Sequence, residues 1–264
     1  MSAKTVGESD APVSQLKYAR VREAVQEMID GLDPGAPIPP ERALCERFEV
    51  SRVTLRKAVD ELVRDGSLVR RQGSGTYVAE PKIAQPLSTT SFSADMRRRG
   101  LEPSSEVLSF ERRTAGAPLA RRLGVAPSAS VAELVRLRLA DGEPMAIETV
   151  VLPDELVPGL DPHALGARSL YAVLEERYGL SVVAVQQVIE PTVTNDEESA
   201  TLGVPVHAPA LLVRTTARDA EGRVLEFGRS LFRGDRYAIV AEIQSGRDGQ
   251  RDVALSGIVF SDLL

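Results

Sequence analysis

The sequence predicts an α+β fold in two parts, a small helical unit closed by a hairpin and then a larger antiparallel sheet with short helices. Three observations predict it. The chain has 264 residues, more than one compact domain usually holds. Three helical patterns and two short strand signals fill the first part. Beyond residue 90 or so, strand patterns joined by tight turns alternate with short helical ones.

The elements follow in order. Residues 1–13 are small and polar and read as a disordered leader. From Lys17, Val21, Val25, Met28 and Ile29 recur at helical spacing until Pro34-Gly35 stops them. Pro39-Pro40-Glu41 opens a second helix, because proline suits the first turn and an acid favours the helix N-terminus. Its apolar positions are Ala43, Leu44 and Phe48. Ser51 caps a third helix with an expected inner face of Val53, Leu55, Val59, Leu62 and Val63, and Gly66 ends it. Leu68–Arg71 and Thr76–Val78 are strands around Gln72-Gly73-Ser74-Gly75. Three helices and a glycine-tipped hairpin outline a winged helix-turn-helix over 14–79.

Residues 80–89 carry Pro81 and Pro86 with little apolar patterning and read as a linker. The second domain is expected over 90–244, with 245–264 as a C-terminal extension. Val131–Leu139 and Met145–Leu152 form a hairpin about Asp141-Gly142. Ser169–Tyr178 is a capped helix with a Gly179 stop, and Thr194-x-x-Glu197 resembles a capping box for a helix to Gly203. Leu211–Arg218, Val224–Phe232 and Tyr237–Ile243 are further strands. Short connections favour antiparallel pairing over a doubly wound parallel sheet.

Composition excludes several classes. Hydrophobic residues make up 43% and charged residues 27%, which argues against global disorder. One cysteine, Cys45, rules out a disulfide framework, and with two histidines it is too few for a closed zinc site, so no metal or cofactor is expected. No run approaches the roughly 18 apolar residues of a membrane span, and the N-terminus lacks a signal-peptide core, so a cytoplasmic chain without membrane contact is expected. The net charge of -6 argues against nucleic acid when taken as a whole. Locally it does not. Between Ser51 and Val78, Arg52, Arg56, Lys57, Arg64, Arg70 and Arg71 outweigh Asp60, Glu61 and Asp65, and most of the acidity lies beyond residue 80.

Arg52 and Arg56 lie four apart near the start of the third helix, hence on one face. A recognition helix offers its N-terminal residues to base edges, where arginine can grip guanine with two hydrogen bonds. Ser51 and Thr54 suit phosphates, as does Arg42 on the preceding helix. Gly73 and Gly75, beside Gln72, let the wing backbone approach a minor groove. The stretch PPERALCERFEVSRVTLRKAVDELVRDGSLVRRQGSGTYV resembles the DNA-binding domain of GntR-family bacterial repressors, in its proline-Glu-Arg, Ser-Arg-x-Thr-x-Arg and Gly-x-Gly-Thr elements. The resemblance implies operator contacts from Arg42, Arg52 and Arg56, with Gly75 at the wing tip. It also implies a homodimer on a palindromic double-stranded DNA operator.

In the second part, Arg136 and Arg138 are two apart in a strand and leave it on one face. Either an anion lies between them or the face is solvated. Glu148 depends on the turn. A two-residue Asp141-Gly142 turn pairs Arg136 with Ile147, whereas a three-residue loop pairs it with Glu148 and assembles a polar pocket, the arrangement favoured here. Ser169 at a helix N-terminus, with Tyr171, is either an anion seat or, for Ser169, a simple cap. An enzyme is the rival reading, but His163, His207 and Cys45 join no catalytic constellation.

The runs SFSADMRRRGLEPSSEVL, LVRLRLADGEPMAIET, SLYAVLEERYG and LEFGRSLFRGDRY resemble the UTRA effector domain of the HutC subfamily, which implies a chorismate-lyase-like α+β fold used for small-molecule sensing. Within it the chain is similar to repressors of N-acetylglucosamine utilisation, which sense amino-sugar phosphates. The resemblance implies that Ser93, Arg136, Arg138, Ser169 and Tyr171 hold the phosphate, while Glu148 and Glu226 accept from sugar hydroxyls. Phe232 stands where related proteins carry tyrosine. Other members sense urocanate, fatty acids or different sugar phosphates, so a carboxylate effector is the alternative.

Overall fold

The computed structural model describes residues 13–71, 73–86, 91–165, 168–240, 244–245 and 251–252. The chain divides into two units, Met1–Pro81 and Lys82–Leu264.

In the first unit the helical spacing yields α1 (Val13–Asp30), α2 (Glu41–Phe48) and α3 (Arg52–Arg64). Leu68–Arg71 (β1) and Gly75–Val78 (β2) pair antiparallel, with Arg71 opposite Gly75. Val21, Val25 and Ile29 of α1 meet Leu44, Leu55, Ala58, Val59 and Leu62 in one core. Each of the valine, leucine and isoleucine side chains contributes about 1.5–3 kcal/mol by leaving water. The expected inner face needs one correction. Val53 is 79% exposed, and Ala58 takes the inward place. Leu55 sets the buried stripe, and a residue two positions away in a helix lies about 200° around the axis. Ala43 is likewise exposed.

The leader lies outside the described residues except Val13, which already belongs to α1. The stretch expected as linker is also partly structured: Ile83–Pro86 form β3, paired in parallel with β10 (Tyr237–Val240). Ile83 is buried, but the stretch carries too little apolar alternation in sequence to be read as a strand. Residues 87–90 and most of 245–264 lie outside the described residues, apart from a two-residue pairing of Gln244–Ser245 with Arg251–Asp252.

The second unit holds a six-stranded antiparallel sheet in the order β4-β5-β6-β9-β8-β7. Its strands are β4 (Pro103–Thr114), β5 (Ser130–Ala140), β6 (Glu143–Pro153), β7 (Ala184–Val193), β8 (Pro209–Arg218) and β9 (Val224–Arg233). Strands β4 and β7 are the sheet's two edges and carry polar residues on both faces, which hides the alternation that marks a half-buried strand. Helices α4 (Phe92–Arg98), α5 (Gly116–Leu123), α6 (Leu170–Tyr178) and α7 (Asp196–Leu202) cover the sheet. One face meets α6 through Leu134, Val150, Leu152, Leu170 and Leu174, and meets α4 and β10 through Met96, Met145 and Tyr237. The other meets α5 and α7 through Leu123, Leu137, Leu139 and Leu202. Strand β10 does not join this sheet, although its connection to β9 is tight.

The capping box of α7 is displaced by one residue from its expected place. Asn195 is the N-cap, accepting from the Glu198 N–H at 2.8 Å while the Asn195 N–H donates to Glu198 at 3.0 Å. Thr194 is buried instead, where its hydroxyl accepts from Ser199 and from the Ala208 N–H at 3.0 Å. That ties down the turn after α7.

The β5–β6 hairpin decides where the charged side chains face. Its turn is the two-residue one: Asp141 and Gly142 both have positive φ, and Ala140 pairs with Glu143. The longer loop favoured on sequence is therefore wrong. A bulge supplies the missing step. Arg138 pairs with Ala146 and Leu139 with Pro144, so Met145 is the extra residue. Arg136 consequently faces Glu148. Met145 is fully buried, which gives the bulge its packing reason.

Candidate functional site

Two clusters emerge, one in each unit. In the first, Ser51 caps α3, its Oγ accepting from the Thr54 N–H at 3.2 Å and lying 2.9 Å from the Thr54 hydroxyl. That cap fixes the first turn from which Arg52 and Arg56 project. Arg56 donates through Nε to Glu41 at 2.8 Å and stays 60% exposed, and Arg42 pairs with Glu46 at 3.0 Å. Arg52 is exposed. Such exposed pairs are worth little and exchange readily for a phosphate or a base edge. In the hairpin, Gly73 and Gly75 have φ of 73° and 128°, values an L-residue rarely adopts. The Arg71 guanidinium lies 4.6 Å over the Tyr77 ring, and the Tyr77 and Ser74 hydroxyls bond each other. Gln72 lies outside the described residues.

In the second unit, Arg136 and Arg138 leave β5 on the face covered by α4 and α6, and each is only 2% exposed. A solvated face is therefore excluded. Arg136 donates from Nε to Glu148 Oε2 at 2.9 Å and from Nη2 to the same oxygen. Arg138 Nη1 lies 3.7 Å from that oxygen, and Nη2 donates to Ser93 Oγ at 2.8 Å. The Phe92 ring sits 4.6 Å beneath the Arg138 guanidinium. Burial, with Arg136 nearby, lowers the Arg138 pKa to about 10 against the pull of Glu148, which leaves it charged at neutral pH. Burial pushes Glu148 up, but the two guanidiniums outweigh it and hold the carboxyl below its usual range.

Glu226 is a different carboxyl. It is 5% exposed, forms no ion pair among the described residues, and lies within hydrogen-bonding reach of Tyr171. Burial, with the charge of Glu148, pushes it up to about 7, and burial beside Glu226 raises the Tyr171 phenol. A Cβ on Gly228 would come within 2.8 Å of Glu226 Oε1, so the glycine makes room for this carboxyl to fold back over β9. Several buried polar atoms have no hydrogen-bond partner among the described residues: Arg136 Nη1, Arg138 Nε and Nη1, Ser105 Oγ and Glu226 Oε2.

Comparison with known proteins decides the family. Residues 17–78 match the bacterial regulatory proteins of the gntR family, and residues 98–238 match the UTRA domain. The HTH-type transcriptional repressor NagR of Bacillus subtilis is 35% identical over 226 residues, 84% of this chain and 93% of that one. The chain is a GntR-family transcriptional regulator. The mannosyl-D-glycerate transport/metabolism system repressor MngR of Escherichia coli is 33% identical, over 87% of this chain and 98% of that one. The crystal structure of PhnF from Mycobacterium smegmatis is similar at 34% identity and a TM-score of 0.60, covering 86% of this chain and all of that one. These relatives regulate transcription and are not enzymes.

Within this GntR-family chain the expected residues fall as follows. Ser93, Arg136, Arg138 and Glu148 form one bonded group. Tyr171 and Glu226 adjoin it, the charges of Glu148 and Arg136 acting on Glu226. Phe232 pairs with Ala146, two positions along β9 from Ser230, which faces Glu148, and its ring packs 4.6 Å from that of Tyr237. Ser169 caps α6, its Oγ accepting from the Ala172 N–H at 3.4 Å, at the start of the helix that carries Tyr171. The residues not foreseen are Phe92, Ser105, Gly228 and Tyr237. They come from α4, the edge strand β4, β9 and β10, which strand pairing and helix packing bring to one face.

Glu226 has a consequence for stability. Its folded carboxyl keeps a proton up to about pH 7, whereas an unfolded one releases it near 4.3. The unfolded chain therefore binds fewer protons in that window, and stability falls as pH rises through it, by up to about 4 kcal/mol for a separation of this size. Glu226→Gln cannot ionise. The melting temperature of the variant is expected to gain several degrees on that of the native protein between pH 5 and pH 8; a difference that stays constant over that range would refute the buried neutral acid.

Proposed function

We propose that this regulator is a repressor whose operator affinity is controlled by a phosphorylated sugar of the glucosamine 6-phosphate or N-acetylglucosamine 6-phosphate type. One observation carries the reading. Among the described residues, two buried guanidiniums share a single carboxylate partner and keep three N–H-bearing nitrogens without a hydrogen-bond acceptor. Buried unpaired cationic donors are costly, and a dianionic phosphate satisfies both charge and geometry. In this reading Ser93, Arg136, Arg138, Ser169 and Tyr171 hold the phosphate, and Glu148, Glu226 and Phe232 contact the sugar. The relative MngR, named for a sugar-derivative system, supports a carbohydrate ligand.

On the DNA side, Arg52 and Arg56 read base edges, Arg42, Ser51 and Thr54 bind phosphates, and Gln72, Gly73 and Gly75 bring the wing to the minor groove. The protein acts in the cytoplasm as a homodimer on a palindromic operator, its reader ending near residue 79 and its sensor near residue 244. The effector favours one arrangement of the two readers over the other, and a tenfold change in operator affinity needs only about 1.4 kcal/mol of differential binding. A melting screen tests the effector: glucosamine 6-phosphate or N-acetylglucosamine 6-phosphate raises the melting temperature of the second unit, as ligand linkage requires. If small carboxylates raise it and no phosphorylated sugar does, the effector class is wrong.

A further inference from the structure

The described ladder of β4 and β5 brings one residue to the arginine pair that neither the motifs nor the family comparison singles out. Ser105 pairs directly with Arg138, and residues opposite each other in an antiparallel pair share a face, with Cβ atoms roughly 5 Å apart. The Ser105 side chain therefore stands on the face that carries Arg136, Arg138 and Glu148, whereas Ser104 points to the other. Its hydroxyl is buried and has no hydrogen-bond partner among the described residues, and the same holds for Nε and Nη1 of Arg138. The remaining nitrogen, Nη2, is taken by Ser93, and the Phe92 ring covers one flat side of the guanidinium. Arg138 thus keeps donors without a hydrogen-bond acceptor on the same sheet face as a desolvated hydroxyl that also lacks one among the described residues. A hydroxyl can donate to an anionic oxygen, which is what a guanidinium edge already selects. Buried hydroxyls without partners cost free energy and are uncommon, so such a group ordinarily meets a further acceptor or donor, from protein, water or a ligand.

We propose that Ser105 is a further effector-binding residue, donating its hydroxyl to an oxygen of the phosphate held by Arg138. The inference rests on the phosphorylated-effector reading above. Ser93 and Ser105 then flank Arg138 from α4 and β4, one orienting the guanidinium and the other extending its grip on the anion.

Calorimetric titration of the full-length protein with glucosamine 6-phosphate, and competition by inorganic phosphate, test it. Ser105→Ala is expected to weaken the sugar phosphate about tenfold and inorganic phosphate by the same factor, as for one charge-assisted hydrogen bond. Ser105→Thr keeps the hydroxyl and stays within about twofold of the native protein, as does Ser104→Ala on the opposite face. The unliganded melting temperatures of all three stay close to native, which separates ligand contact from folding. If Arg138→Ala loses binding while Ser105→Ala keeps it within twofold, or if Ser105→Thr weakens as much as Ser105→Ala, the role of Ser105 is overturned and the effector reading stands. If the native protein binds neither probe, the effector reading falls and the role of Ser105 with it.

Discussion

Arg136→Met is expected to lower the melting temperature of the second unit by about 6 °C and to abolish its stabilisation by glucosamine 6-phosphate. The two losses have different causes. Arg136 is 2% exposed and donates two hydrogen bonds to Glu148, so its removal leaves a largely buried carboxylate with only Arg138 Nη1, at 3.7 Å, to balance it. Breaking a buried pair costs about 3–5 kcal/mol when the remaining charge is isolated. Arg138 and the 21% exposure of the Glu148 side chain reduce that to roughly 2 kcal/mol, or several degrees for a unit of this size. Adding Glu148→Gln to Arg136→Met removes the stranded charge and is expected to restore most of the stability. It does not restore the phosphate-dependent shift. Recovery of both together would mean that Arg136 serves the fold alone.

Arg52→Ala with Arg56→Ala is expected to weaken specific operator binding at least about a hundredfold, since each arginine on a base edge is worth about 1–3 kcal/mol. Both side chains are exposed, and the Arg56–Glu41 pair at 2.8 Å is of the surface kind, so melting should move by less than about 1 kcal/mol in equivalent stability. The measurement is fluorescence anisotropy at one fixed salt concentration, with a duplex selected from random sequences by the native protein and a scrambled control. Arg42→Ala provides the contrast: it weakens both duplexes alike and reduces the salt slope by about one. Retention of the native preference for the selected duplex by the double variant would remove α3 from sequence reading. The overall acidity of the chain, -6, makes this contrast sharper, because non-specific attraction to DNA is weak.

The three helices and the hairpin of the first unit were legible because each carries local chemistry. Ser51 caps, Val21, Val25 and Ile29 repeat at helical spacing, and Gly73 and Gly75 meet positive φ. Val53 was misread because an apolar residue near a helix start looks inward until the stripe is drawn around Leu55. In the second unit β5, β6, β8 and β9 were legible from their apolar runs. The edges β4 and β7 were not, since polar residues on both faces give no period. Helix α4, which brings Phe92 and Ser93 to Arg138, and strand β3 were also missed; each is short and takes its place from packing partners distant in sequence.

By itself the sequence determined the family, the two-part α+β architecture, and the face shared by Arg136 and Arg138, because period two in a strand leaves no choice. It could not determine what that face meets. Asp141-Gly142 specifies a two-residue turn, which alone would set Ile147 opposite Arg136; burial of Met145 inserts a bulge and turns Glu148 there instead. Likewise, nothing near Glu226 in the chain makes it a neutral acid. That follows from removing its carboxyl from water without a cation to pair it, and only the packed sheet and α6 do so.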